Sequence, residues 1–196
     1  MIVAFVGTVE DESDTPISGN GKTNAMVYVS YIDYLQKGKT IWTNFKTDYS
    51  EQMGMQKMIE SIGDEPQTDL VLCVSEMQRI LNSLGSDTKK VLFIEKFASQ
   101  LRKLNVDLYY DTQRFKNIHL RLRSFTDIIF IPKKYHFDRK PCNYNLCMKP
   151  HMICLYSAKP YNDNPIVKID ATKVGKHYDS NEIIFDKLVL EEKRDV

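Results

Sequence analysis

Pro16-Ile17-Ser18-Gly19-Asn20-Gly21-Lys22-Thr23 decides how this chain is read. The stretch follows the apolar run Ile2-Val3-Ala4-Phe5-Val6-Gly7 and precedes a segment, 24–35, with apolar residues at helical spacing. A buried strand, a glycine-containing loop ending in Gly-Lys-Thr and then a helix is the layout of a phosphate-binding P-loop. Backbone N–H groups of such a loop and the positive end of the helix dipole hold phosphate oxygens. Lys22 is expected on the β- and γ-phosphates and the Thr23 hydroxyl on Mg²⁺. Ser18, Gly19, Asn20, Gly21, Lys22, Thr23 and Asn24 form the candidate nucleotide-binding set.

One position departs from the P-loop template, which asks for glycine where this chain has Pro16. Gly7 stands at the strand end where the first glycine usually lies, which makes 8–15 an insertion carrying Glu10, Asp11, Glu12 and Asp14. Like charge beside a polyanion is unfavourable, so these acids are expected to point outward or to form a flap.

With 196 residues the chain is expected to form a single domain, with a core at 1–132 and a hairpin and C-terminal extension at 133–196. Hydrophobic content of 42% and charged content of 27% are those of a water-soluble globular fold. No apolar run approaches the roughly 18 residues that span a bilayer, so no transmembrane segment is expected. The first apolar run lacks a basic flank, so it does not read as a signal peptide, and a cytoplasmic location is expected. A net charge of +1 argues against broad, unassisted nucleic-acid binding.

Beyond the first helix, which Gly38 ends, residues 39–44 read as a second strand. Ser50 is the expected N-cap of a methionine-rich helix stopped by Gly63. Leu70-Val71-Leu72-Cys73-Val74 is a continuous apolar run of the kind buried in a parallel sheet. Helical segments up to Leu84 and over 87–104 follow, then a strand at 106–111, a short helix at 118–123 and a strand at 127–131. Strands alternating with helices predict an α/β fold with a mainly parallel central sheet flanked by helices. From Pro132 the pattern becomes a loop, then a hairpin through 151–157 and 166–169; no structure is assigned to 182–196.

Nucleotide hydrolysis needs a carboxylate at the tip of a neighbouring strand, usually an Asp that organises Mg²⁺ followed by a Glu that activates water. The apolar strand delivers Ser75-Glu76 to that place, so Glu76 is the candidate base and Ser75 stands where the Asp is expected. The next strand ends in Tyr110-Asp111-Thr112-Gln113, where Gln113 is placed to sense the γ-phosphate, with Thr112 as helper. Arg121 or Arg123 is a candidate arginine finger for a neighbouring subunit's site, with neither preferred. Cys142, Cys147, His151 and Cys154 are zinc-ligand types, but they lack the tight C-x₂-C spacing and read first as reduced structural thiols. A Cys142–Cys147 disulfide is a further alternative.

The order of these motifs resembles the FtsK–HerA superfamily of P-loop ATPases, closest to viral and mobile-element genome-packaging and Zot-like ATPases. The residues that carry it are Gly-Asn-Gly-Lys-Thr at 19–23, Thr43-Asn44, Val-Ser-Glu-Met-Gln at 74–78, Thr112-Gln113 and Tyr-Asp-Ser-Asn-Glu at 178–182. The resemblance covers roughly residues 1–185. It implies a RecA-like core, ATP and Mg²⁺ as ligands, and a homo-oligomeric ring, pentamer or hexamer, that moves double-stranded DNA. A capsid, portal or membrane-associated viral partner, and a host-cytoplasmic or virion-associated location, go with it. Two rival readings are a Zot-like assembly or extrusion ATPase that does not move DNA, and a degenerate nucleotide-binding scaffold.

Overall fold

The computed structural model describes residues 1–8, 21–62, 67, 69–80, 88–142, 147 and 149–178. Pro16, Ser18, Gly19 and Asn20, the acids of the 8–15 insertion beyond Thr8, Leu84 and the segment 182–196 lie outside them.

The elements run β1 (Ile2–Thr8), α1 (Lys22–Lys37), β2 (Thr40–Thr43), β3 (Glu51–Gln52), α2 (Met55–Ser61), β4 (Leu70–Val74), α3 (Met77–Ile80) and α4 (Thr88–Lys103). They continue with β5 (Asp107–Arg114), a 3₁₀ turn, α5 (Leu120–Phe125), β6 (Ile128–His136), β7 (His151–Lys159), β8 (Tyr161–Asp170) and α6 (Ala171–Val174). The strands form an eight-stranded sheet in the order β3-β2-β4-β5-β1-β6-β7-β8. From β3 to β6 all neighbours are parallel. The β6–β7 and β7–β8 pairs are antiparallel. The expected α/β class, with a mainly parallel sheet flanked by helices and a hairpin after it, is the class observed.

Alternation along the strands sends side chains to opposite faces, and each face builds its own core. Val3 and Phe5 of β1, Val71 and Cys73 of β4, and Tyr109 of β5 pack with Ala25 and Met26 of α1. Ile2, Ala4, Val6, Leu72, Leu108 and Tyr110 face the other way, onto α2, α4 and α5. A fully buried aromatic such as Phe5 is worth about 3–5 kcal/mol against alanine in such a setting. Helix α1 lies over the middle of its face with α6 packed beside it, and its N-terminus stands beside the C-terminal ends of β4 and β5.

Two sequence expectations change. Ser50 does not cap a helix: its hydroxyl lies 2.7 Å from that of Thr43 and accepts from Thr47 Oγ1 at 2.6 Å. Residues 51–52 instead pair with β2, and α2 begins only after Gly54. Strand β6 does not stop before Pro132 but continues to His136, with Pro132 opposite Leu155 of β7. Lys134 and His136, of the same parity as Pro132, turn their backbone groups to Cys142 and Lys140 rather than to β7. A proline in that register removes no bond of the β6–β7 ladder.

Candidate functional site

The start of α1 is built to receive an anion. Gly21 occupies the cap position with φ 82° and ψ 26°, a left-handed conformation that suits glycine. A side chain there would also collide with the Ile153 Cδ1 of β7, 2.4 Å from where a Cβ would stand. Glycine offers no side-chain cap, and the first turn carries no acid. Among the described residues no side chain caps the N–H groups of that turn, which, with the helix dipole, could receive an anionic acceptor. Lys22, the first helical residue, is 8% exposed. Asn24 follows on the same turn, with its Oδ1 buried and without a hydrogen-bond partner among the described residues.

Next to this turn lies a carboxylate that the motif reading passed over. Asp111 is 1% exposed in the C-terminal half of β5, just past the end of β4, and the odd-numbered residues of β5 face α1 with Tyr109. Its Oδ2 accepts from Thr23 Oγ1 at 2.6 Å and from Ser75 Oγ at 2.9 Å, and its Oδ1 accepts from the Glu76 N–H at 2.8 Å. The acid expected at 75 is thus supplied by the neighbouring strand, and Ser75 is one of its donors. Asn44, at the end of β2, fixes the Ser75 backbone from the other side. Its Oδ1 accepts from Ser75 N at 2.8 Å and its Nδ2 donates to Ser75 O at 3.1 Å.

The donor set suits Mg²⁺. Thr23 and Ser75 each have one hydroxyl hydrogen, and both are aimed at Asp111, so their oxygen lone pairs remain for a cation. Hydroxyl and carboxylate oxygens are the hard ligands that Mg²⁺ prefers. Thr23 would hold the ion, with Asp111 and Ser75 beside it. When bound, the ion would neutralise charge on the β- and γ-phosphates.

Glu76 leaves β4 with φ 57°, in the left-handed region that a non-glycine residue occupies only when its surroundings hold it there. Its carboxylate accepts from Gln78 Nε2 at 2.6 Å and pairs with Arg79 at 3.3 Å. Burial, then the negative charge of Asp111, raises its pKa above the ordinary value; Arg79 and Lys22 pull the other way. A carboxylate shifted upward is a better proton acceptor near neutral pH. Gln113 is half-buried and shares the face of β5 that carries Asp111, directed toward α1. Its backbone carbonyl presses on Gly7, where an added Cβ would stand only 2.6 Å from that oxygen. Gly7 therefore serves close packing of β1 on β5.

Thus Lys22, Thr23, Glu76 and the Gln113 face come together, with Asp111 added at their centre. Tyr178 joins them from the C-terminal side. It meets Phe45 edge-on at 6.3 Å, and burial, followed by the charge of Asp111, raises its pKa. Arg121 and Arg123 are not in this cluster. Helix α5 packs through Leu122 on the opposite face of the sheet, where Arg121 is exposed and Arg123 is half-buried beside Tyr110. Neither completes the site of its own chain. Cys142, Cys147 and His151 gather at the end of the β6–β7 hairpin with His136, and not with Cys154.

The signal for Asp111 was present in the sequence, as an acid interrupting the apolar strand Leu108-Tyr109-Tyr110. What one sequence does not carry is the register of β5 against β4, Val74 beside Tyr110, that brings it to Ser75.

No protein-family profile and no curated protein matches the chain by sequence. Among solved structures the fold is similar to the N-terminal domain of zonular occludens toxin from Neisseria meningitidis. That match has a TM-score of 0.54 and 16% identity, over 90% of this chain and 97% of that one. The genome packaging NTPase from Sulfolobus turreted icosahedral virus 2, in complex with ATP-gammaS, is also matched, at a TM-score of 0.48 and 12% identity over 85% and 98% of the two chains. The Zot-like part of the resemblance read from the motifs thus has a counterpart of similar fold in the zonular occludens toxin domain. At these identities the likeness is one of fold.

Proposed function

We propose that this chain is a Mg²⁺-dependent ATPase that works on double-stranded DNA as a homo-oligomeric ring. The observation that carries the hydrolytic half is the Asp111 carboxylate, which joins Thr23, Ser75 and Glu76 around the N-terminus of α1. Lys22 and the first-turn N–H groups bind the phosphates. Glu76 takes a proton from the attacking water as that water's oxygen bonds to the γ-phosphorus. The bond from the γ-phosphorus to the bridging oxygen breaks, and ADP leaves with that oxygen. Gln113 faces the γ-phosphate from the strand between the loop strand and the Glu76 strand.

Coupling to DNA rests on the order of motifs shared with the FtsK–HerA superfamily. One observation favours a second reading, assembly or extrusion driven by ATP without DNA movement: the zonular occludens toxin domain matches over nearly its whole length. Steady-state ATP hydrolysis, measured with and without double-stranded DNA, separates the two. DNA-stimulated turnover is expected. Slow turnover that ignores DNA selects the second reading, and no turnover at all leaves a nucleotide-binding scaffold.

A further inference from the structure

Strand parity corrects the zinc-type residues read from the sequence and points to a different set. On β7, His151 shares a face with Ile153 and Leu155, which belong to the core under α1. Cys154, three residues from His151, is directed to the other face, toward Tyr135, Met152, Tyr156 and Lys168. It cannot join His151 in one coordination shell. His136 can. It is the last residue of β6 and the register partner of His151, the first of β7. The His136 N–H is turned away to Lys140 O at 2.9 Å, so the two histidines form a non-hydrogen-bonded pair. In such pairs the Cα atoms are about 4.5 Å apart and side chains on one face meet. The imidazole rings are 4.7 Å apart, centroid to centroid.

The chain leaving His136 turns back along the outer edge of β6. Arg139 adopts φ 67° at the bend, Pro141 bridges Tyr135, and the Cys142 N–H donates to Lys134 O at 2.9 Å. That return sets Cys142 beside the histidine pair, its Sγ 3.2 Å from His151 Nε2. Cys147 completes the group: one ligand atom from each of His136, Cys142, Cys147 and His151 lies within 4.8 Å of all the others. No disulfide joins the cysteines, and the buried Nδ1 of His136 has no hydrogen-bond partner among the described residues.

We infer that His136, Cys142, Cys147 and His151 form a structural zinc site. Two thiolates and two imidazoles are a standard zinc donor set, and at Zn–S of about 2.3 Å and Zn–N of about 2.0 Å the edges of a tetrahedron measure roughly 3.3–3.8 Å. The cluster needs little contraction to reach them. With every position held by protein the site has no open place for substrate, so its role is to tie Cys142 and Cys147 to the paired ends of β6 and β7. His151 is two residues from Ile153, the side chain that touches Gly21, so the locked strand is the one that supports the phosphate loop.

The test uses the full chain. Metal analysis of protein purified without chelator should find about one zinc per chain. Chelator-stripped wild type titrated with Co²⁺ should develop a thiolate-to-cobalt charge-transfer band and the visible bands of tetrahedral cobalt, both erased by added Zn²⁺. Cys142→Ser, Cys147→Ser and His136→Asn should lose stoichiometric metal, whereas Cys154→Ser should keep it. The cobalt titration reads the wild-type site directly, so the result stands even if a ligand variant does not fold. Absence of the cobalt bands, a chain whose mass is two hydrogens lower through a Cys142–Cys147 disulfide, or a Cys154→Ser variant that loses its metal while His136→Asn retains it would each overturn the site.

Discussion

Thr23, the last residue of the phosphate-loop motif, donates its hydroxyl to Asp111 Oδ2 across 2.6 Å, linking the start of α1 to the C-terminal half of β5. The same carboxylate holds Ser75 and the Glu76 backbone. Asp111→Asn keeps the shape but turns an acceptor-only group into one that also donates. It should raise the Mg²⁺ concentration for half-maximal ATP hydrolysis and lower turnover, each by about 10–100-fold, as partners that orient a metal ligand typically do. A Mg²⁺ titration of activity measures both. Unchanged Mg²⁺ dependence would assign Asp111 a purely structural role.

Lys22→Ala removes the only lysine of the first turn of α1 and should abolish ATP binding measured by calorimetry. Wild-type affinity in this variant would place the nucleotide elsewhere.

Glu76→Gln preserves size and most hydrogen bonding while removing the proton acceptor. ATP should still bind, and turnover should fall by about 10²-fold or more. Parent-level hydrolysis by this variant would exclude Glu76 as the base.

The arginine question is now one of subunit geometry, because α5 lies across the sheet from α1. If Arg121 reaches a neighbour's γ-phosphate, specific activity rises with protein concentration, and Arg121→Ala chains poison wild-type rings beyond dilution. Loss of a finger costs roughly 10³–10⁵ in rate. Strictly linear dilution in mixing experiments, with activity independent of concentration, would argue for a surface or DNA-contacting role instead.

Asp107, at the opposite end of β5, gives a pH prediction. Burial alone would raise its pKa, but the Lys39 ammonium at 2.5 Å and the Met1 amino group outweigh this and hold it below the ordinary value. A depressed carboxylate contributes stability that is present above its unfolded-state pKa and is lost as pH falls through the folded value. Asp107→Asn should therefore cost about 1–2 kcal/mol at neutral pH, with the gap to wild type closing below about pH 4. Urea midpoints at neutral and acidic pH check it. A gap that does not change with pH would assign the loss to packing.

Much of the central sheet was legible because its strands are continuous apolar runs and its first loop is chemically specific. Leu70 to Val74 and the Gly-Lys-Thr segment need no partner to be recognised. What escaped depends on pairing. Asp111 matters because of where β5 lies against β4, and His136 because it stands opposite His151; neither register is written in local composition. Ser50 misled for a related reason. A serine ahead of an apolar helix is a good cap on local grounds, but here Thr43 and Thr47 engage its hydroxyl. The residues 16–20 and 182–196, on which part of the motif reading falls, lie outside the described structure.

The meeting of Gly21 with Ile153 has an evolutionary reading. A methyl group added at 21 would have to occupy space already filled by the end of the isoleucine, and the left-handed backbone disfavours it independently. Substitutions at the two sites are therefore not interchangeable: shortening Ile153 opens room without relaxing the backbone, so glycine is retained whatever stands opposite. Ile153, by contrast, has no room to grow toward Gly21, and shortening it would open a cavity in the core under α1. A hairpin grafted in place of this one should be accepted only when its residue at this register is no bulkier than isoleucine.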